Sequence, residues 1–581
     1  MKKALSFFAA FVLFGVFAPQ VRAYDFSATT TSGQTLYYTI LSDGVSVAVV
    51  FPNSNATTGS QVWSGHYKPT GNLVIPSTVT NGGATYTVTQ IGNYTFYDCD
   101  DITHVTMPNT VTIIGYAAFT SCSGLLSVAL GNGLLTIGDY AFSYCVGLTT
   151  IIIPQSLTLL GKGAFKSCSG LTSVEFNAAN CSIPDDVDGN TDPFTSCSNI
   201  TSFTIGNNVT VIPDYLCSGT AITSIIIPNS VTSIGYEAFY YCDNLTSVTI
   251  GNSVTTIGEG AFSYCYNLTS VTIGNSVTTI GSRAFKGSGL ISVTIPNAVT
   301  TIGERAFCDC KNLTSITLSN NIDTIHKFLF AQDSNLVSLT IPNSVTVIED
   351  GAFGNCTGLT SITIPSNVTS VGGAAFYNCT GLTEIHSLNR VAPQLGTYTT
   401  ENGQTYGAFD GVSSSIPVYI PCGSSASYYS RWSYFSNFIE EEGFTFTATS
   451  ADEQQGTVQI LTMPTCTSPQ AVVYASANSG YHFDHWSDNS TANPYSLTVT
   501  EDLNLVAYFA ADGGGTEGID DIDAANIRIY SEAGRIVVEG TTDEVNIYDM
   551  TGRNVRNDNL PAGVYTVKVG NAPAKKVMVI R

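Results

Sequence analysis

The sequence contains 581 residues, enough for several ordinary domains or for one long repeat array with smaller modules attached. Only 11% of the residues are charged, against about 25% in typical soluble domains, so hydroxyl and amide groups must form much of the surface. The formal net charge of −23 argues against nucleic acid as a partner, because nucleic-acid binding requires clustered Lys and Arg.

Residues 1–23 have the pattern of a secretory signal peptide. Lys2 and Lys3 precede an apolar stretch, and the small residue Ala23 closes the segment. A membrane helix would need about 20 apolar residues, and Pro19 interrupts this stretch. We therefore predict that residues 1–23 direct export of the chain.

Residues 24–90 are predicted to form an N-terminal β cap. Two strand-like runs, 35–41 and 45–51, flank the turn residues 42–44, which is the pattern of a β-hairpin.

Residues 91–393 repeat with a period of about 23 residues. In the clearest unit, Val271 and Ile273 alternate with Ser270 and Thr272, a pattern that predicts a half-buried strand. A Gly-Asn or Pro-Asn pair then ends the strand with turn chemistry.

Each repeat also carries an anchor residue, which is predicted to close a short helical or irregular arc. The thirteen anchors are Phe96, Phe119, Phe142, Phe165, Phe194, Leu216, Phe239, Phe262, Phe285, Phe307, Phe330, Phe353 and Phe376. One unit has too little core to fold alone, so the repeats are expected to stack into a continuous body.

The repeated run Ile-Gly-x-x-Ala-Phe-x-x-Cys-x-x-Leu-Thr-Ser-Val-Thr-Ile resembles the BspA-like leucine-rich repeats of bacterial surface proteins, over about half of the chain. The predicted fold is mainly β: a leucine-rich-repeat β-solenoid of about 13 repeats of 23 residues, followed by two small all-β domains. The resemblance implies adhesion to host matrix proteins or to other cells.

A column of cysteines follows the anchors at a distance of three residues. Its members are Cys99, Cys122, Cys145, Cys168, Cys197, Cys242, Cys265, Cys310, Cys356 and Cys379, and Gly219, Ser288 or Asp333 fill the position in other repeats. Export suggests disulfides. However, parallel side chains in a stack hold their Cβ atoms too far apart, so we predict a buried ladder of free thiols.

A 29-residue gap between Phe165 and Phe194 contains an acidic insertion. Its alternating oxygen ligands, Asp186, Asp188, Asn190 and Asp192, make a weak calcium candidate. The glycine is misplaced for a calcium loop and no Glu stands at the twelfth position, so we favour a solvated loop and predict no metal site.

No catalytic constellation or cofactor motif is present in the sequence, so the protein is predicted not to be an enzyme and to bind no cofactor. His482 and His485 are interpreted as strand surface.

The outward strand positions are monotonous Ser and Thr in six repeats, for example Ser270 with Thr272 and Ser338 with Thr340, and these residue types are poor hot spots. Variation is found instead around the anchors, where one group of tyrosines falls on adjacent repeats and four basic residues fall on the next two. The tyrosines are Tyr236, Tyr240, Tyr241, Tyr264 and Tyr266, and the basic residues are Arg283, Lys286, Arg305 and Lys311. We predict that this tyrosine arc contacts partners; alternatively, the rings only cover the hydrophobic core.

Beyond the repeats, residues 394–443 are predicted to form a C-terminal cap rich in Tyr and Trp. Residues 444–511 form a small β domain whose Gly-Tyr-x-Phe-x-x-Trp stretch from Gly480 is similar to the internalin-B-type repeat. Residues 512–526 read as a flexible acidic linker.

Residues 527–581 alternate as a small Ig-like β domain and closely resemble the C-terminal sorting domain of type IX secretion. The residues matching the sorting pattern are Gly552, Arg553, Pro561, Gly563, Tyr565, Lys575 and Lys576. The resemblance implies export through the inner membrane and recognition by secretion machinery at the outer membrane, which leaves the protein on the outer surface of a Gram-negative cell or in the medium. An Ig-like domain without a sorting role is the alternative.

The predicted function is a non-enzymatic surface or secreted protein that mediates adhesion to host or bacterial surface proteins or glycans. The alternatives are an architectural surface stalk and an accessory glycan-binding protein.

Overall fold

The computed structural model describes residues 24–53, 56, 58–184, 192–441, 445–466, 468–512, 528–532, 535–539, 544–550, 552–558, 560–570 and 575–579. It divides into two compact units. The first contains the repeats and the segments that flank them, and the second contains most of residues 448–581.

The repeats form a mainly β solenoid, as predicted, and it has about 15 turns against the 13 repeats counted in the sequence. Nearly every described turn supplies one strand to a first strand row, in which paired neighbours run parallel and inward Val and Ile alternate with outward residues that are mostly Ser and Thr. The strands of this row are Gly71–Val74, Ile102–Thr106, Ser127–Ala129, Thr150–Ile153, Ser173–Phe176, Ser202–Ile205, Ser224–Ile227, Ser247–Ile250, Ser270–Thr272, Ser292–Thr294, Ser315–Thr317, Ser361–Ile364, Glu384–Ser387, Val418–Pro421 and Phe438–Glu441.

A second strand row, mostly of two-residue parallel strands, follows the turn after each first-row strand. Its strands are Ala84–Ile91, Ile113–Ile114, Thr136–Ile137, Leu159–Leu160, Val211–Ile212, Ser233–Ile234, Thr256–Ile257, Thr279–Ile280, Thr301–Ile302, Thr324–Ile325, Val347–Ile348, Ser370–Val371 and Gln394–Leu395. Thr side chains beside this row donate to the preceding turn, as Thr278 Oγ1 does to the Thr255 carbonyl at 3.2 Å. Such bonds satisfy the polar groups of a surface that carries few charges.

Phe rings from successive turns stack into a buried spine. Neighbouring ring centroids lie 5.1 Å apart at Phe119–Phe142 and 5.0 Å apart at Phe239–Phe262. The spine continues past the last predicted anchor to Phe409, 5.1 Å from Phe376.

The prediction that Leu216 is an anchor is wrong. The backbone N–H of Cys217 donates to the Ala238 carbonyl, the bond that the Phe anchor makes in other turns, and the Cys217 side chain is fully buried. Leu216 therefore occupies the small-residue position. The column position assigned to Gly219 belongs to Thr220, whose hydroxyl donates to the Cys217 carbonyl.

The anchor arcs are chains of turns, not short helices. The only α-helix among the described residues is Ser425–Arg431, and the segment Gly59–Gln61 forms one 3-10 turn. The residues two before and two after the anchor adopt positive φ, as at Ala117 (51°) and Ser121 (61°). This alternation directs every second N–H toward the next turn, so that the N–H groups of Ala117, Phe119 and Ser121 donate to Asp139, Ala141 and Ser143.

Positive φ gives a stability prediction at Ser121, which is half-buried. The left-handed region costs a non-glycine residue roughly 1–2 kcal/mol and a β-branched residue more. We expect Ser121→Gly to raise the free energy of unfolding by up to about 1 kcal/mol and Ser121→Val to lower it by about 2 kcal/mol. Urea denaturation checks both variants, and equal stabilities would contradict the assignment of strain to this position.

The cysteine column consists of buried free thiols, as predicted. Each thiol from Cys122 onward donates to the anchor carbonyl of the preceding turn, for example Cys145 Sγ to Phe119 O at 3.1 Å and Cys265 Sγ to Phe239 O at 3.1 Å. These bonds aim each sulfur at backbone rather than at the next sulfur.

Asp333 interrupts the column with a fully buried carboxyl group. Oδ1 accepts the N–H of Cys310 at 2.8 Å, whereas Oδ2 has no hydrogen-bond partner among the described residues. The same turn lacks its first-row strand, so Ser338 and Thr340, predicted as an outward strand pair, lie in irregular backbone. Asp333 therefore lies in a turn that departs from the regular repeat.

Tryptophan covers both ends of the Phe spine. Trp63 stacks on Phe96 at 6.4 Å and donates to the Thr95 carbonyl, after the hairpin of Thr35–Ile40 and Ser46–Val50. Strands Phe26–Thr29 and Thr78–Asn81 complete this end.

At the other end, Trp432 packs 5.2 Å from Phe409 and donates to the Pro393 carbonyl. The hairpin Thr397–Thr399 with Thr405–Gly407 lies nearby in sequence. A disulfide joins Cys422 to Cys466, a pairing across 44 residues.

Two strand groups follow the solenoid, both all-β. The first comprises Phe446–Ser450, Gly456–Thr462, Gln470–Ala477, Tyr481–Trp486, Tyr495–Thr498 and Leu503–Ala511. The second comprises Arg528–Glu532, Arg535–Glu539, Val545–Tyr548, Gly563–Val569 and Lys575–Val579, paired antiparallel within two small sheets. The calcium candidates Asp186, Asp188 and Asn190 lie outside the described residues.

Candidate binding surface

Four of the five predicted tyrosines come together in one cluster. Tyr241 and Tyr264 occupy the same position in consecutive turns, two residues after the anchor, and their rings stack at 5.0 Å and 16°. Tyr240 stands nearly perpendicular to both, at 4.5 and 5.7 Å. Tyr266 completes the cluster at 6.2 Å from Tyr241 and 6.0 Å from Tyr264.

The fifth tyrosine, Tyr236, packs against a residue that the sequence interpretation missed. Its ring meets Tyr215 edge-on at 5.2 Å. Tyr215 lies two residues before Cys217, so the misassigned anchor concealed its position on the arc. The aromatic surface therefore includes one more turn than predicted.

The rings are partly exposed and pack against one another. Tyr236, Tyr241 and Tyr266 keep 37%, 41% and 49% of their surface accessible, and Tyr240 and Tyr264 are half-buried. Burial raises the pKa of Tyr240 to about 12, so its hydroxyl stays a neutral hydrogen-bond donor at physiological pH. Such fixed amphipathic rings contribute contact area at low entropic cost.

The basic residues near the arc are all engaged. Arg283 bonds Glu259 at 2.7 Å, and Lys286 lies over the Tyr264 ring at 5.1 Å. Arg305 stacks on Phe328 at 4.5 Å, and Lys311 pairs with Asp309 at 3.1 Å. The cations thus stiffen the arc rather than create a positive field.

The outward face of the first strand row offers weaker chemistry. Two shallow grooves of about 680 and 590 Å³ lie where the row is interrupted. Ile226 and Ile152 line them and are 71% and 57% exposed. Apart from these two side chains, the first groove is lined mainly by Ser, Thr and Asn and the second mainly by Asn, Gln and apolar residues, and no aromatic cluster is found there among the described residues.

The histidines singled out in the sequence lie on strand surface. His482 pairs with Asp512 and His485 with Asp484, each at 3.0 Å, and His485 stacks on Tyr508. Within the part of the chain that the structure describes, no cluster of three metal-ligating side chains occurs.

The predicted sorting residues are organised by local contacts. Gly552 has φ of 82° in the turn after Val545–Tyr548, and Arg553 pairs with Asp549 at 3.4 Å. The Tyr565 hydroxyl donates to the Pro561 carbonyl at 2.9 Å. Gly563 pairs with Val579, and Lys575 and Lys576 pair with Val567 and Thr566.

Comparisons with known proteins agree with this architecture. The profile of the BspA type leucine rich repeat region matches residues 89–192, 190–313 and 278–402, and that of the divergent InlB B-repeat domain matches residues 446–513. A search of curated proteins found no match.

Several solved structures are similar. A leucine-rich repeat protein from Bacteroides ovatus is 24% identical, covering 72% of this chain and all of its own, with a TM-score of 0.52. A leucine rich cell surface protein from Faecalibacterium prausnitzii is 29% identical over 62% of this chain and 94% of its own, with a TM-score of 0.36. The pneumococcal vaccine antigen PcpA is 17% identical over 72% of this chain and 100% of its own, with a TM-score of 0.41.

The fold and the Bacteroides ovatus likeness define a leucine-rich-repeat β-solenoid. Because the first profile spans more than half of the sequence, the chain belongs to the family of BspA-type leucine-rich repeat proteins. None of the described helices is long and apolar enough to cross a membrane.

Proposed function

We propose that this protein is a non-enzymatic surface or secreted binding protein that mediates adhesion through the tyrosine arc. The observation that carries the proposal is the cluster of Tyr240, Tyr241, Tyr264 and Tyr266, with exposed rings held against one another. Tyr is enriched among binding hot spots, whereas Ser and Thr, which dominate the sheet face, are not.

The partners we propose are host or bacterial surface macromolecules. The family's surface relatives support this class, since the Faecalibacterium protein is itself described as a cell surface protein. The arc lies on a rigid scaffold, because each turn is hydrogen-bonded to its neighbours. Binding therefore needs little reordering of the protein.

Adhesion can be tested with the full chain coupled to beads. We expect Tyr241→Ser combined with Tyr264→Ser to weaken binding to host matrix proteins or whole bacterial cells by about tenfold, since two central hot-spot rings are removed. The matched control, Tyr116→Ser combined with Tyr144→Ser, removes two rings that are 40% and 51% exposed in earlier turns. Equal binding by the two double variants would refute the arc as the contact surface. That outcome is expected if the protein is an architectural stalk.

Export and sorting are proposed separately. Residues 1–23 would direct passage through the inner membrane, and residues 527–581 would be recognised by secretion machinery at the outer membrane. The sorting role is supported by the sequence pattern and by the hydrogen bond from the Tyr565 hydroxyl to the Pro561 carbonyl.

Deletion of residues 560–581 tests the sorting role in the native host. It removes strands Gly563–Val569 and Lys575–Val579 and should leave the protein in the periplasm. Cell fractionation and surface labelling give the readout. Normal surface display of the truncated chain would favour a β domain without a sorting role.

A further inference from the structure

Among the described residues, one ring face of the arc has no neighbour. The position that Tyr241 and Tyr264 occupy in their turns is taken by Gly219 in the preceding turn, where the Gly219 N–H donates to the Tyr240 carbonyl at 2.8 Å. A Cβ built at Gly219 would meet no atom within 4 Å. The face of Tyr241 opposite Tyr264 therefore borders an open position, here named the Gly219 slot.

The other tyrosines do not cover this face. Tyr240 lies 4.5 Å from Tyr241 and still only 5.7 Å from Tyr264, so it stands beside both stacked rings. Tyr266 is nearly equidistant from the two and also lies beside them. A ring above the outer face of Tyr241 would be much farther from Tyr264.

The Tyr241 ring is held firmly in this orientation. Tyr264 stacks on its inner face, and the rings of Tyr240 and Tyr266 pack beside it at 4.5 and 6.2 Å. Lys286 closes the far end of the stack over Tyr264. The slot thus has a rigid aromatic side with hydroxyl groups along its edge.

Resting on the proposed binding function, we infer that the Gly219 slot holds one ring of a neutral glycan. The C–H face of a sugar ring packs on an aromatic face, while its hydroxyls reach the tyrosine hydroxyls at the edge. The turn before that of Gly219 places Ser196, small and exposed, at the same position, so this residue leaves room for the ring to enter from that side.

Charge and size select this ligand class. The protein carries a formal net charge of −23, and the nearby Arg283 is paired with Glu259, so acidic sugars are disfavoured. A stable protein–protein contact needs about 800 Å² from each partner with an apolar centre. A few partly exposed rings offer enough apolar surface to bind one sugar ring, but they would make only a small apolar centre for a protein interface.

The test uses the full chain and four neutral hexasaccharides: cellohexaose, maltohexaose, mannohexaose and N-acetylchitohexaose. Saturation-transfer NMR identifies the bound sugar and calorimetry gives its affinity. We expect Gly219→Tyr, which fills the slot with the residue that the next two turns carry there, to weaken binding about tenfold. Positive φ of 53° at Tyr241 and 59° at Tyr264 indicates that this backbone accepts Tyr.

Tyr241→Gly should weaken binding similarly, because it removes the aromatic face. The control Tyr144→Gly changes the equivalent position of an earlier turn and should leave binding within twofold. Thermal melting verifies that each variant is folded.

Binding of none of the four sugars, stronger binding of oligogalacturonate, or binding that Gly219→Tyr leaves within twofold would overturn the inference. If proteins bind through Tyr241 and Tyr264 while no sugar binds, the glycan assignment fails and the proposed function stands. If neither class binds, both fail.

Discussion

Replacing Asp333 with Cys should raise the free energy of unfolding at pH 7 by on the order of 3 kcal/mol, because a buried, half-satisfied carboxyl group is removed. Burial raises the pKa of Asp333 well above its ordinary value, and Oδ2 has no partner among the described residues. A thiol at this position can donate to the Phe307 carbonyl, as Cys356 does to Phe330 at 3.0 Å.

The pH dependence of this gain has a definite sign. Because the pKa of Asp333 is higher in the folded state than in the unfolded state, the folded protein holds a proton that the unfolded chain releases above about pH 4. The contribution to stability is therefore fully present below that pH and is lost as pH rises toward the folded pKa. The advantage of Asp333→Cys should grow between pH 4 and 7.

Urea unfolding at several pH values measures both effects. Asp333→Asn is the matched control: it keeps an oxygen for the Cys310 N–H but cannot titrate, so it should lose the pH dependence with a smaller gain at pH 7. An Asp333→Cys variant no more stable than the parent at pH 7 would contradict the account of this turn.

Replacing Phe262 with Ala should cost about 4 kcal/mol, because it leaves a ring-sized cavity in the spine. Phe262 is fully buried between Phe239 at 5.0 Å and Phe285 at 5.4 Å. Since a repeat array is stabilised mainly by contacts between neighbouring turns, the loss should weaken one part of the solenoid first.

Cys217→Ala provides the comparison for Phe262→Ala, because Cys217 fills the same position in another turn with far less volume. We expect it to cost about 1 kcal/mol. Denaturation curves with hydrogen exchange resolve the local effect. Equal costs for the two variants would show that the anchor ring is not the main stabilising element.

The sequence period was sufficient to predict the solenoid, the spine and the free thiols. The period failed where one turn is a residue shorter. Ile222 follows Thr220 by two residues, whereas the corresponding spacing in most turns is three. Counting back from Ile222 at the usual spacing therefore assigned Gly219 to the cysteine column and Leu216 to the anchor. Counting forward from Ile212 would have identified Cys217 as the anchor and placed Tyr215 on the arc.

Other features left little trace in the sequence. Trp63 lies outside the repeats, and a pairing such as Cys422 with Cys466 does not follow from spacing. The positive φ positions had a signal, since Gly, Asn, Asp and Ser recur two residues after the anchor. Tyr241 and Tyr264 conceal that signal, because large residues rarely adopt this conformation.

The sequence was enough to choose the residues of the candidate surface but not to predict how their side chains pack. Repeat spacing placed the tyrosines on adjacent turns, whereas the stacking of Tyr241 on Tyr264 and the open face above Gly219 depend on side-chain directions that no period encodes.

We propose that the tyrosine arc, not the Ser/Thr sheet, contacts the ligand. Tyrosine nitration of the full chain, read by mass spectrometry with and without bound bacterial or host surface material, tests it most directly. We expect protection of Tyr241 and Tyr266 and unchanged labelling of Tyr144. Equal labelling of all three in the bound state would contradict it.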